Sequence, residues 1–282
     1  MEQQTVKELE FKKGYEAITL DELKSSIKAE ELGGLPKSRP VEHYVAIENV
    51  CEILDKANIS FTVDKIFCAG GSSTKKIKAV QNIYGDKAIE AHLMTKIIAR
   101  IMITTLANDE NNACIGISYH QRGICYAYGS NVVACSNMSI LGGNMVSTYG
   151  NDKMGFDHMV QVIENWAGKF ETLRTHELEM IEKMKQREVS NDDTLKLQAM
   201  LHRAALMSNM DSKIPAPLNV TQVNRFAEGL IKNEQKGIAV NNAWDLYNVG
   251  TNILKPKHAD IATIFEQAKD LGDFIIDKYQ IN

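Results

Sequence analysis

The sequence predicts an α+β protein: an antiparallel strand meander in the N-terminal half, covered by a mostly helical C-terminal half. Three observations carry this reading. Short apolar runs with two-residue alternation crowd together between Lys96 and Cys135, rich in the Ile, Val and Tyr that suit a pleated surface. The breaks between them, Gln121-Arg122-Gly123 and Gly129-Ser130-Asn131, contain residues that accept tight reversals cheaply. From Phe156 onward the apolar period lengthens to that of a helix and stays there. A chain of 282 residues can bury a substantial core. The expected division is a flexible N-terminal segment (1–18), an α+β sheet region (19–150) and a helical region packed on the sheet (151–282), together one composite domain.

In chain order, the first residues are polar and expected to be loose. Thr19 and Glu22 form a capping box that starts a helix to about Ala29, and Gly33-Gly34 stops it. Leu35 to His43 carries two prolines and reads as extended. Tyr44, Ile47, Val50, Cys51 and Leu54 fall at helical spacing, and Asn58 ends that helix. A strand follows over Ile59–Cys68. The stretch "AGGSSTKKIK" (Ala69–Lys78) has the glycines, hydroxyls and lysines of a phosphate cradle. It lacks the second glycine of a Walker loop and reads as a flexible loop. Lys75, Lys76 and Lys78 are the best basic patch in the chain. Four strands then follow: Lys96–Thr105, Cys114–Tyr119, Ile124–Tyr128 and Val132–Cys135. Ser139–Gly155 reads as loop.

The second half is nearly all helix. Phe156, Met159, Val160, Ile163, Trp166, Phe170 and Leu173 trace one stripe, expected to run to about Arg187. Ser190 to Asp193 caps a helix carrying Leu197, Leu201, Ala204 and Met207. Thr221 is expected to cap the next, ended near Gly237. Asn241 or Asn242 starts a helix with Trp244 and Tyr247 as core anchors, and the last helix carries Ile261 to Ile275.

The net charge of −4 argues against a broad electrostatic grip on nucleic acid, though not against a local basic groove. No apolar run approaches the roughly 20 residues of a membrane span, and the charged N-terminus lacks the apolar segment of a secretory signal. Five cysteines at irregular spacings, without CxxC or a zinc pattern, point to reduced thiols in a cytoplasmic protein. No catalytic motif, metal site or cofactor site is found. Pairing Cys125 or Cys135 with His120 as nucleophile and base needs no more than chance. Glu177, Glu179 and Glu182 read as a solvated helix face.

Two ligand-facing features remain. Tyr119, His120, Arg122, Tyr126 and Tyr128 on the meander form a face whose aromatics could stack on bases; the plainer reading is that the tyrosines cap a core face. The sheet is the expected scaffold, with the helical half on one face. The uncovered face and the Gly70–Lys78 loop are then the expected binding surface.

The stretches "CIGISYHQRGICYAYGSNVVACSNMSI" and "NNAWDLYNVGTNILKPKHAD" resemble a family of phage- and plasmid-encoded proteins carrying a domain of unknown function. Cys135, Asn137 and Met138 match its Cys-x-Asn element, with Met138 where the family often has Gly. Trp244, Leu246, Tyr247, Asn248 and Thr251 match its C-terminal element. "SRPVEHYVAIENV" looks like the lead-in of a branch on mobile elements of Bacteroidetes-type bacteria. The resemblance spans roughly Ser38 to Asp260 and brings no catalytic residues. It implies a nucleic-acid handler or an inhibitor of host defence in a bacterial cytoplasm, classes that commonly work as oligomers. The first expectation is therefore a non-enzymatic single-strand-binding protein of replication or recombination, using Lys75, Lys76, Lys78, Arg100, Tyr119, Arg122, Tyr126 and Tyr128. The alternative is a protein-interaction factor, such as a host-defence inhibitor or assembly factor. Neither needs a cofactor or a membrane, and a homo-oligomer is a possible state of both.

Overall fold

Alternation of apolar residues builds the sheet. Its strands are β1 (Tyr15–Ile18), β2 (Phe61–Ala69), β3 (Lys96–Ile103), β4 (Asn111–His120), β5 (Gly123–Val132), β6 (Asn137–Ser139) and β7 (Thr148–Gly150). The structure is a computed structural model and describes residues 15–25, 41–69, 96–106, 111–120, 123–132, 137–139, 148–150, 153–254 and 261–281. The strands run β1-β2-β3-β4-β5-β6, all pairings antiparallel, and β7 pairs β5 beside β6. The helices are α1 (Leu20–Ser25), α2 (His43–Lys56), α3 (Lys153–Ala167), α4 (Phe170–Gln186), α5 (Asn191–Met210), α6 (Val220–Gln235), α7 (Ala243–Ile253) and α8 (Ile261–Tyr279). The expected α+β architecture, a meander followed by a mostly helical half, is the one observed.

Register places Ile101 opposite Ile115, Ile115 opposite Tyr128, and Ile117 opposite Tyr126. These residues share one face of the sheet and are buried with residues of α1, α2 and α3 in a first core. A second core belongs to the helices alone, from Met180 of α4 to Ile281. Helix α4 bridges the two. Its Phe170 and Leu173 belong to the first core, and its Met180, Ile181 and Met184 to the second. Helix α8 runs against β4, β5 and β6, joining the halves a second time.

Several expectations are corrected. Tyr15–Ile18, expected to be loose, pairs with Ile66–Ala69 as β1. Gly129-Ser130-Asn131 does not turn the chain. It continues β5 opposite Asn112–Cys114, because β4 offers ten residues of ladder and pairing overrides local turn preference. Val132 therefore ends a strand, and 133–136 lie outside the described residues. The long helix from Phe156 breaks at Gly168-Lys169, where the Lys169 N–H bonds to the Trp166 carbonyl at 2.9 Å. Phe170 still reaches the same core, so the apolar stripe runs on through the break. Asn219, not Thr221, caps α6, in a reciprocal box with Gln222.

The meander was expected to keep one open face. Over β4 and β5 it does not: Cys114, Gly116, Ser118, Cys125, Ala127 and Gly129 stand opposite the first core and are buried too. All six are small, which lets covering structure approach the backbone closely. Among the described residues, no helix is long and apolar enough to cross a membrane.

Candidate functional site

The residues expected to bind nucleic acid divide by where the fold puts them. Arg100 stands on β3 beside a register shift between Val63 and Lys65 of β2. The shift leaves Asp64 outside the ladder, and its Oδ2 accepts from Arg100 Nε at 2.7 Å and from Nη2. The guanidinium is thus neutralised by an intramolecular carboxylate. Tyr126 is 1% exposed, and its hydroxyl donates to the Ala46 carbonyl of α2 at 3.1 Å. Tyr128 is 2% exposed, with its ring 4.4 Å from that of Trp166 and edge-on to Phe170. These two tyrosines are core, and no base can reach them. The correction has a plain cause: they alternate in phase with Ile115 and Ile117, on the face that α2 and α3 cover. Tyr119 lies in β4 opposite Ile97 and Ile124. Lys75, Lys76, Lys78 and Arg122 lie outside the described residues.

A polar cluster that sequence reasoning placed elsewhere is found at the joint between the two cores. Glu177, expected on a solvated face, is 1% exposed; Arg174 is fully buried and its Nη1 donates to Glu177 Oε2 at 2.8 Å. The Tyr128 hydroxyl donates to the same oxygen at 3.3 Å. Burial, and then the neighbouring Glu177 charge, push the Tyr128 phenol above its usual range, so it stays a donor. The signal was present in the sequence. Phe170, Arg174, Glu177, Ile181 and Met184 share one helical face, and two charges in phase with a buried stripe mark an internal ion pair.

Three thiols are described, and Cys135 lies outside the described residues. Burial pushes Cys114 up to about 12 and Cys51 to about 11. Cys125 is buried, its Sγ 3.8 Å from the Tyr126 carbonyl oxygen. Among the described residues, no group of three or more His, Cys, Asp or Glu side chains is placed to hold a metal. A cleft of about 310 Å³ lies between α6 and α7, and Lys232, Lys236, Asp245, Asn248 and Asn252 are among the residues that line it. Two of its charges already have partners within the chain. Asp245 accepts from the Asn241 N–H at 3.0 Å, Lys232 lies 3.7 Å from Glu228, and Lys232 stands in the last turn of α6, where a cation complements the helix dipole.

The remaining feature is the outer face of α5. Its inner face buries Leu197, Leu201 and Ala205. Its outer side holds five of the nine exposed large apolar side chains among the described residues: Met210 (88% exposed), Leu195 (63%), Leu206 (47%), Met200 (41%) and Met207 (39%). The sequence reading assigned Met207 to the core stripe. The helix carries more apolar residues than one face can bury, and that excess is visible in its sequence. No family model, curated protein or solved structure matches the chain.

Proposed function

We propose that the protein is a non-enzymatic interaction factor that docks a protein partner on the outer face of α5. The observation that carries this is the concentration of Leu195, Met200, Leu206, Met207 and Met210 on one exposed helix. Full burial of one such side chain contributes about 1.5–3 kcal/mol, so a partner covering several gains appreciable affinity. Methionine suits such a surface, since its flexible thioether adapts to the shape presented to it. The acidic balance of the chain also fits a protein partner better than a polyanion. The resemblance to mobile-element proteins adds the context of an assembly factor or host-defence inhibitor.

The test places a photoreactive side chain at position 206 in cells expressing the protein. The reading expects one defined cross-linked protein, lost when Met210→Asp is added. Diffuse labelling, or labelling unchanged by that substitution, would remove α5 from consideration. The single-strand-binding reading keeps Lys75, Lys76, Lys78, Tyr119 and Arg122 as its support. It expects affinity for single-stranded DNA or RNA that falls steeply with salt and drops when the three lysines become alanine.

A further inference from the structure

We infer that the partner of the α5 face is a second copy of this chain, packed antiparallel across a two-fold axis at the middle of the helix. This rests on the reading of α5 as a protein-binding face and goes on to name what binds there.

The inference comes from the spacing of the exposed residues. At about 100° per residue, Leu195, Ala199, Leu206 and Met210 fall within about 60° of one another and form one seam roughly 22 Å long. All four are exposed. The seam reads the same from either end. Leu195 and Met210 are equidistant from the His202–Arg203 peptide bond, and so are Ala199 and Leu206. A two-fold interface is isologous, so a residue must meet its mirror position on the mate. An antiparallel pair centred on that bond sets Leu195 against the mate's Met210, and Ala199 against the mate's Leu206. The second pairing is small against large, which lets the helices approach and interdigitate. Met200 and Met207 lie together on one flank of the seam. His202 and Arg203, also exposed, sit at the axis, where the long Arg203 stem covers apolar surface while its charge stays in water.

Charge fixes the direction. The first turn of α5 holds Asp192 and Asp193, and Lys213 follows just past its C-terminus. The antiparallel register brings Asp192, which also pairs with Lys196 of its own helix, toward the mate's Lys213 and lays the helix dipoles antiparallel, while the Asp193 carboxylate stays in the Ser190 box. A parallel pair would stack two acidic turns on each other and lose the mirror match of the seam.

Sedimentation equilibrium of the full chain tests this, with three proteins compared. Wild type should approach twice the 31.5 kDa chain mass at high micromolar concentration. Leu195→Glu should be a monomer at the same concentration. Leu195→Glu combined with Met210→Lys should dimerise again at low salt and dissociate at high salt, because each glutamate then faces a lysine of the mate. The two positions are too far apart in one chain to pair with each other. Both changes sit on exposed positions with the sign the helix dipole favours, so unchanged circular dichroism will show that folding is intact. A wild type that stays monomeric, or a double variant that does not recover, overturns the antiparallel dimer. A monomeric wild type that still cross-links one other protein through position 206 would end self-pairing and leave the α5 face standing. Absence of both kinds of association would end both readings.

Discussion

Arg174 and Glu177 set the energetic stakes at the residue scale. Each is buried, and each satisfies part of the other's charge, with Tyr128 adding a second donor to the Glu177 carboxylate. Removing one partner strands a charge in a dry interior. Arg174→Met or Glu177→Leu should each cost about 3–5 kcal/mol in urea unfolding, and the double change should cost clearly less than their sum. Additive losses would mean that the pair does not act as a unit. Tyr128→Phe removes a donor to a buried carboxylate and should cost about 1–3 kcal/mol while leaving the ring contact with Trp166 in place. What was legible at this scale was what depended on neighbours in sequence. Alternation put Tyr126 and Tyr128 in phase with Ile115 and Ile117, but which sheet face is covered depends on helices far along the chain. The partner of Arg100 is 36 residues away, across a strand pairing that local pattern does not reveal.

The elements show where local chemistry decides and where packing does. The boxes at Thr19–Glu22 and Ser190–Asp193 were readable because both partners lie within one turn. At α6, Thr221 and Asn219 are both capping residues, and only the bond from the Gln222 N–H to Asn219 Oδ1 separates them. The Ser190 box also predicts a pH response. The Ser190 hydroxyl and then its backbone N–H bond the Asp193 carboxylate and lower its pKa. A lowered folded-state pKa gives stability that is complete above the ordinary aspartate range and is lost as pH falls through the folded value. Wild type should therefore lose more stability than Asp193→Asn below about pH 4, read from thermal unfolding. Glycines give a matched pair. A Cβ on Gly250 of α7 would lie 2.3 Å from Cδ2 of the buried Leu271 on α8. Gly250→Ala should be destabilising, because overpacking of about 1–3 kcal/mol outweighs the roughly 1 kcal/mol of helix propensity gained. At Gly168, between α3 and α4, a Cβ would meet only carbonyl oxygens at 3.6 and 3.8 Å. Gly168→Ala should be neutral or stabilising by about 0.4–1 kcal/mol. If Gly250→Ala proved the milder change, the tight α7–α8 contact would be wrong.

On the scale of the whole molecule, the chain's two tryptophans report on different cores, Trp166 on the sheet core and Trp244 on the helical one. Since α4 threads both cores and α8 also touches the sheet, they should unfold together. Trp166→Phe and Trp244→Phe variants, each leaving one reporter, should give the same denaturant midpoint once corrected for the stability each substitution removes. Separated transitions would show two independent units. The meander-then-helices plan could be read from periodicity, because period two and period 3.6 are properties of short windows. That the helices hold a core of their own could not, since it depends on which stripe meets which. The threading of α4 also bears on how the chain tolerates changes in length. One residue inserted beside Arg174 would rotate everything after it by about 100° and turn Met180, Ile181 and Met184 away from their neighbours while Phe170 stayed in place. The same insertion between Asp211 and Leu218, a connector outside any helix, would be absorbed as slack. Relatives of this protein should therefore vary in length in that connector and keep the residue count of α4 fixed.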